Sequence, residues 1–188
     1  MHLPFYSLPR HAEELLQCLQ AGGLVLYPTE GVLGLGCDPY QEDAVARVKD
    51  LKKRDSKKGL ICVASNWQQV EHWVQEDQVP SFSHIFSTWP GPVTWIFPAS
   101  KQAPGWVQAN GEVALRISNH PVICQLCDLY GGPLVSTSAN PSGEETWTCY
   151  DDLDLVWRQE VDAWVVGEVG SLGGASKIFH AQTLKQSR

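Results

Sequence analysis

The stretch LVLYPTEGVLGLGCD, from Leu24 to Asp38, decides how the rest of the chain is read. Leu24, Val25 and Leu26 form an apolar run of strand character that breaks at Tyr27-Pro28. Thr29 and Glu30 then offer a hydroxyl and a carboxylate, and a loop with Gly31, Gly34 and Gly36 follows. A buried strand that opens into a polar, glycine-rich turn is a common way to hold a small ligand at the end of a sheet. Taken alone, the same pattern is an ordinary connection, so its meaning rests on the segments around it.

Upstream, His11 to Leu19 has the apolar spacing of an amphipathic helix that stops at Gly22-Gly23. Downstream, Glu42 to Leu51 puts Ala44, Val45, Val48 and Leu51 on one helical face. Strands are expected at Gly59 to Ala64, Val93 to Phe97, Gly111 to Ile117, Pro133 to Thr137, Asp162 to Val166 and Ile178 to His180. Helices are expected at Trp67 to Val74, Phe82 to Trp89, His120 to Tyr130 and Asp151 to Arg158. Strands and helices intermix with short links and no internal repeat, which predicts a single layered α/β domain over residues 1–188 around one mixed sheet.

Composition narrows the function classes. With 43% hydrophobic and 19% charged residues the chain reads as an ordinary globular protein. It has no apolar run of the roughly 18 residues a membrane span needs, and its first residues lack the pattern of a secretion signal. The expected compartment is therefore the cytoplasm. There the six cysteines stay reduced, and Cys124-x-x-Cys127 reads as two small helix residues because no second ligand pair completes a zinc site. A net charge of −7 argues against a general nucleic-acid binder. Yet six of the 14 Lys and Arg residues fall between Lys49 and Lys58, so an acidic chain gathers its cations in one segment.

Three segments share one design, an apolar strand followed by a small polar or basic cluster. They are Thr29-Glu30, the run Lys52 to Lys58, and Ser136 to Ser142. Hydroxyls, an amide and cations brought together would suit phosphates and a carboxylate. Arg116 interrupts the apolar alternation of its strand and needs a partner there. The chain has no GxxxxGK[ST] loop, GxGxxG turn or GxSxG elbow. Singly, each feature has a plain reading: a solvated helix end for the cations, a turn cluster for the serines, a structural ion pair for Arg116.

Their ordered occurrence is more specific. Lys52-x-Arg54, Ser138-x-Asn140, YPTE, WPGPVT (Trp89 to Thr94), ALRI (Ala114 to Ile117) and STSAN together resemble the threonylcarbamoyl-AMP synthase family, the YrdC-like domain, in its short single-domain bacterial branch. The resemblance implies a three-layer fold with a twisted mixed sheet and a concave active-site face. It implies an adenylyltransferase that joins L-threonine, bicarbonate or carbon dioxide, and ATP into threonylcarbamoyl-AMP and pyrophosphate, with Mg²⁺ accompanying ATP. The adenylate would pass to tRNA-modification proteins, and the local basic patch leaves room for a weak direct contact with tRNA.

Carried over by position, Thr29, Arg116, Ser136 and Ser176 would meet threonine, with Arg116 on its carboxylate. Lys52, Arg54, Lys58, Ser138, Asn140 and Thr146 would meet ATP, and Lys52, Arg54, Ser138 and Asn140 would act on the phosphates during the reaction. The sequence departs from the family pattern at Gly31, Leu33, Asp55 and Val63, and Lys185 or Arg188 would have to supply any late nucleotide-binding cation. Two other readings compete: an RNA-binding or ribosome-maturation factor using the basic segment, and, more remotely, a phosphosugar enzyme, which the lack of paired metal-binding acids disfavours.

Overall fold

In the computed structural model, which describes residues 5–55, 57–172, 174 and 176–187, nine strands share one mixed sheet. They are β1 (Phe5–Tyr6), β2 (Val25–Pro28), β3 (Leu33–Cys37), β4 (Ile61–Ala64), β5 (Val93–Pro98), β6 (Glu112–Ile117), β7 (Leu134–Ser138), β8 (Ala163–Val165) and β9 (Lys177–His180). Their order across the sheet is β1-β8-β2-β3-β7-β4-β6-β5-β9. Four neighbouring pairs run parallel: β1 with β8, β2 with β8, β4 with β6 and β5 with β9. The other four are antiparallel.

Successive strand residues point to opposite faces, and the chain uses that alternation to build two cores. On one face, helix α2 (Glu42–Leu51) packs Ala44, Val45 and Val48 against Leu33, Leu35, Cys37, Cys62, Leu115 and Val135. Trp73, Trp95 and Phe97 extend this core, all fully buried. On the other face, helices α1 (Ala12–Gln20) and α4 (Pro121–Tyr130) pack on Val25, Tyr27, Val63, Leu134 and Val165. Pro121 opens α4, and Gly131, at φ +82°, closes it in the left-handed conformation that glycine adopts without strain.

The sequence reading put a loop across the glycines of residues 31–37, but residues 33–37 are a strand. β3 pairs antiparallel with β2, Gly34 opposite Tyr27, and with β7, Gly34 opposite Ser138. The run Leu-Gly-Leu-Gly-Cys is an alternation in which Leu33, Leu35 and Cys37 enter the α2 core, while the glycines face the Tyr27 ring. A Cβ on Gly36 would lie 2.4 Å from the Val135 carbonyl oxygen and 2.6 Å from the Tyr27 hydroxyl. These glycines make room; they do not signal flexibility.

Three other elements differ from expectation. Trp67–Gln69 and Glu71–Trp73 are two 3-10 turns in place of one helix, with the Asn66 side chain accepting from Gln69 N to cap the first. The kink lets Trp67 reach Phe82, Phe86 and Phe97 while Trp73 enters the core. The helix begun at Phe82 ends at Phe86 (α3). Asp154 caps a short α5 (Leu155–Glu160) through Trp157 N, after a separate turn at Tyr150–Asp152. All six cysteines are free thiols, with Cys124 and Cys127 on α4.

Because the Gly36 site has backbone on one side and a buried ring on the other, Gly36→Ala should destabilise the fold by about 3 kcal/mol, the upper range for overpacking. Urea unfolding measures this, and a change below about 1 kcal/mol would show that the strand can shift to admit a methyl group.

Candidate active site

Beyond the part of the sheet that α1 and α4 cover, the same face turns small and polar. Gly34, Ser136, Ser138, Ile61, Ala114, Arg116 and Ile96 form the floor of a cavity of about 580 Å³. That volume falls in the range of small-molecule sites. Every residue assigned a role from the sequence lines it: Thr29, Lys52, Arg54, Lys58, Arg116, Ser136, Ser138, Asn140, Thr146 and Ser176. These positions come from six separate parts of the chain, so the fold has gathered them.

At one end, the turn after β2 is shaped by Thr29. Its hydroxyl donates to Val32 O at 2.8 Å and accepts long contacts from Gly31 N at 3.5 Å and Val32 N at 3.4 Å, so a ligand that bonds this oxygen competes only with two weak bonds inside the turn. Glu30 and Arg116 face each other, 3.3 Å from Oε2 to Nη2, with side chains only 11% and 10% exposed. Arg116 thus combines the two readings its sequence left open, an ion pair and a cavity-lining cation. Ser176, at the head of β9, shares a hydrogen bond with Thr94 at 2.8 Å, and both are buried. Ser136 is buried beside the Tyr27 hydroxyl, which donates to Val135 O at 3.3 Å.

At the other end, the C-terminus of α2 delivers Lys52 into the core of the site, where it is 3% exposed. Its ammonium donates to Ser138 O at 2.5 Å, Asn140 O at 2.7 Å and Asn140 Oδ1 at 3.2 Å. An ammonium has three donors, so all are committed to the loop after β7. Ser138 Oγ also donates to Asn140 Oδ1 at 2.6 Å, and Asn140 Nδ2 donates to Glu144 O at 2.6 Å. The amide can satisfy two donors and one carbonyl only in this orientation, so the network fixes it. Ser142 N returns to Lys52 O at 2.8 Å, completing the tie. Burial, and then the nearby Arg54 charge, push the Lys52 amine down to about 8.

The remaining cations sit outside this knot. Arg54 donates from Nη2 to Gly59 O at 2.7 Å, and Lys53 and Lys58 are exposed at the cavity rim. Lys49 turns away and donates to Trp106 O at 2.6 Å. Of the departures seen in the sequence, Gly31 and Asp55 line the cavity, Asp55 also accepting from Lys57 N, whereas Leu33 and Val63 point into the two cores. Lys185 lies away from the cavity lining, and Arg188 lies outside the described residues. Glu30, Ser118 and Thr94 carry site geometry that the sequence reading gave no role. Glu30 was visible in the sequence as the carboxylate after Thr29, whereas for Ser118 the only signal was a polar residue two positions after Arg116.

Taken together, an arginine-carboxylate pair at one end and a basic rim at the other define a small-molecule site for anionic ligands on the open face of an α/β sheet. Comparison with known proteins agrees with this class. The family model Sua5/yciO/yrdC, described as "Telomere recombination", matches residues 17–187, and the chain belongs to that family. It is 44% identical over 171 residues to a threonylcarbamoyl-AMP synthase of Coxiella burnetii strain RSA 331, covering 90% of this chain and 92% of the relative. Among solved structures it resembles P. abyssi Sua5 complexed with L-threonine, at TM-score 0.84 and 24% identity, over 97% of this chain and 56% of that one. It resembles E. coli YciO equally well, at TM-score 0.84 and 17% identity over 98% and 96%. The last two establish the fold, a YrdC-like one.

The Lys52 geometry gives a direct expectation. With 13C-labelled lysine, the Cε resonance that disappears in Lys52→Arg should titrate with a midpoint near pH 8. A midpoint at the ordinary value near 10.5 would mean that the bonds to Ser138 O, Asn140 O and Asn140 Oδ1 fully offset the cost of burial.

Proposed function

We propose that the protein is a threonylcarbamoyl-AMP synthase, converting L-threonine, bicarbonate or carbon dioxide, and ATP into threonylcarbamoyl-AMP and pyrophosphate. The observation that carries the reading is a single cavity holding Arg116 and Thr29 together with the basic rim of Arg54 and Lys58. The family membership and the names of its relatives support it.

In this reading Arg116 takes the carboxylate of threonine through its planar fork. Thr29 Oγ1 accepts from the substrate, and Ser136 and Ser176 line the same end. The threonine amine adds to carbon dioxide and loses a proton, giving a carbamate. A carbamate oxygen then attacks the α-phosphorus of ATP, the bond to the bridging oxygen breaks, and pyrophosphate leaves. Arg54 and Lys58 lie along the triphosphate, where they offset charge accumulating on the leaving group. Lys52 has a different part. With its donors committed to the loop, it holds Ser138, Asn140 and the neighbouring Thr146 segment in place for the nucleotide. Bringing two anions within bonding distance is mainly a problem of positioning and charge.

Mg²⁺ would enter with ATP. Among the described residues no cluster of three or more His, Cys, Asp or Glu side chains is suited to a metal. An ion brought in with ATP would be held chiefly by phosphate oxygens and water, supplying further charge neutralisation. The adenylate would go to tRNA-modification proteins in the cytoplasm, and no helix among the described residues is long and apolar enough to cross a membrane. We read residues 1–188 as one domain, since one sheet collects all the described strands. The competing RNA-binding reading is weakened by the net charge of −7 and by relatives named for adenylate synthesis.

Pyrophosphate release should require ATP, L-threonine and bicarbonate together; release without threonine would overturn the reading. Arg116→Ala should raise KM for threonine about 100-fold, the equivalent of a lost charge-assisted bond of about 2.7 kcal/mol. An unchanged KM would remove Arg116 from the threonine site.

A further inference from the structure

Arg116 carries its charge into a nearly closed part of the cavity, and its Nε is buried without a hydrogen-bond partner. A buried guanidinium needs a counter-charge. Glu30 provides it in an unusual way. The Oε2 to Nη2 separation of 3.3 Å is longer than the about 2.8 Å of a tight arginine-carboxylate bond, and Oε2 makes no hydrogen bond. The guanidinium is thus neutralised from one side without being gripped in a fork.

What holds Glu30 at that distance is Ser118. Its hydroxyl donates to Oε1 at 2.6 Å and accepts from His120 N at 3.0 Å, so its single proton has one direction to point. Ser118 is 1% exposed, and its own N–H donates at 3.0 Å to the carbonyl of Ala64, the last residue of β4. The backbone of Glu30 is fixed as well, its carbonyl accepting from Leu172 N at 2.9 Å. The carboxylate is therefore anchored by a neutral donor on one oxygen and offered to Arg116 with the other.

We propose that Glu30, oriented by Ser118, is a positioning residue for substrate recognition: it neutralises and aims Arg116 while leaving the guanidinium fork available for an amino-acid carboxylate. The inference rests on the reading that Arg116 receives that carboxylate. It explains why the pair is loose. A bidentate Glu30 contact would occupy the donors that a substrate carboxylate needs, whereas no contact would leave a buried charge free to swing away.

The test compares L-threonine with L-threoninamide, which lacks the carboxylate, as a competing ligand. Glu30→Gln should raise KM for threonine at least tenfold, leave KM for ATP within twofold, and leave the inhibition constant of threoninamide unchanged. Ser118→Ala should act in the same direction by about three- to fivefold, with Ser118→Thr restoring the loss, and it carries the test if Glu30→Gln fails to fold. Equal weakening of threonine, threoninamide and ATP would make the pair purely structural and overturn the proposal. So would a KM for threonine that is unchanged or lowered in both variants. Loss of threonine dependence in the unmodified enzyme would instead strike the proposed function itself, and this inference with it.

Discussion

The ammonium of Lys52 joins pieces of chain that are far apart in sequence, and the cavity depends on that junction. It leaves the end of α2 and spends its three donors on the loop after β7, where Ser138 and Asn140 complete the knot. The Trp157 ring, 6.0 Å from the ammonium to its centroid, closes off one side. Burying a lysine is unfavourable unless its charge is met, and here the compensation comes from carbonyl and amide oxygens instead of an acid. No carboxylate takes part in those bonds, so the local field stays positive. That suits a loop beside phosphates.

The same economy of charge extends across the site. The chain carries a net charge of −7, yet the cavity is lined by Lys52, Lys53, Arg54, Lys58 and Arg116. A cationic cleft in an acidic protein focuses the field on anionic ligands and discourages adsorption to nucleic acid. At the Arg116 end the charge is balanced by Glu30, whereas the Lys52 to Lys58 segment brings four cations to the lining against Asp55. A nucleotide triphosphate and a zwitterionic amino acid are ligands of just these two kinds.

Much of this was legible in the sequence, and the reasons differ by element. Helices α1, α2 and α4 showed in apolar spacing and in Pro121 and Gly131, because helix periodicity and caps are local signals. Residues 33–37 were misread because glycine suggests a loop, although their alternation with Leu33, Leu35 and Cys37 was the better guide. The glycines answer the Tyr27 ring, which lies directly opposite Gly34 and two positions along from the partner of Gly36, and only the register reveals this. The residues proposed for the site were picked out through ordered motifs, and they line one cavity. What sequence could not supply was the division of labour. Lys52 and Arg54 are two residues apart, yet one faces a knot of carbonyls and the other bonds Gly59 O. Glu30 and Ser118 meet only because the chain between them winds through four strands of the sheet.

The central claim is that one cavity receives threonine and ATP together, with opposite ends of the field serving each. A crystal structure with L-threonine and a non-hydrolysable ATP analogue tests it most directly. The account predicts the threonine carboxylate on the Arg116 fork and the triphosphate along Arg54 and Lys58, both within the same cavity. A nucleotide bound elsewhere, or a threonine carboxylate facing away from Arg116, would contradict it.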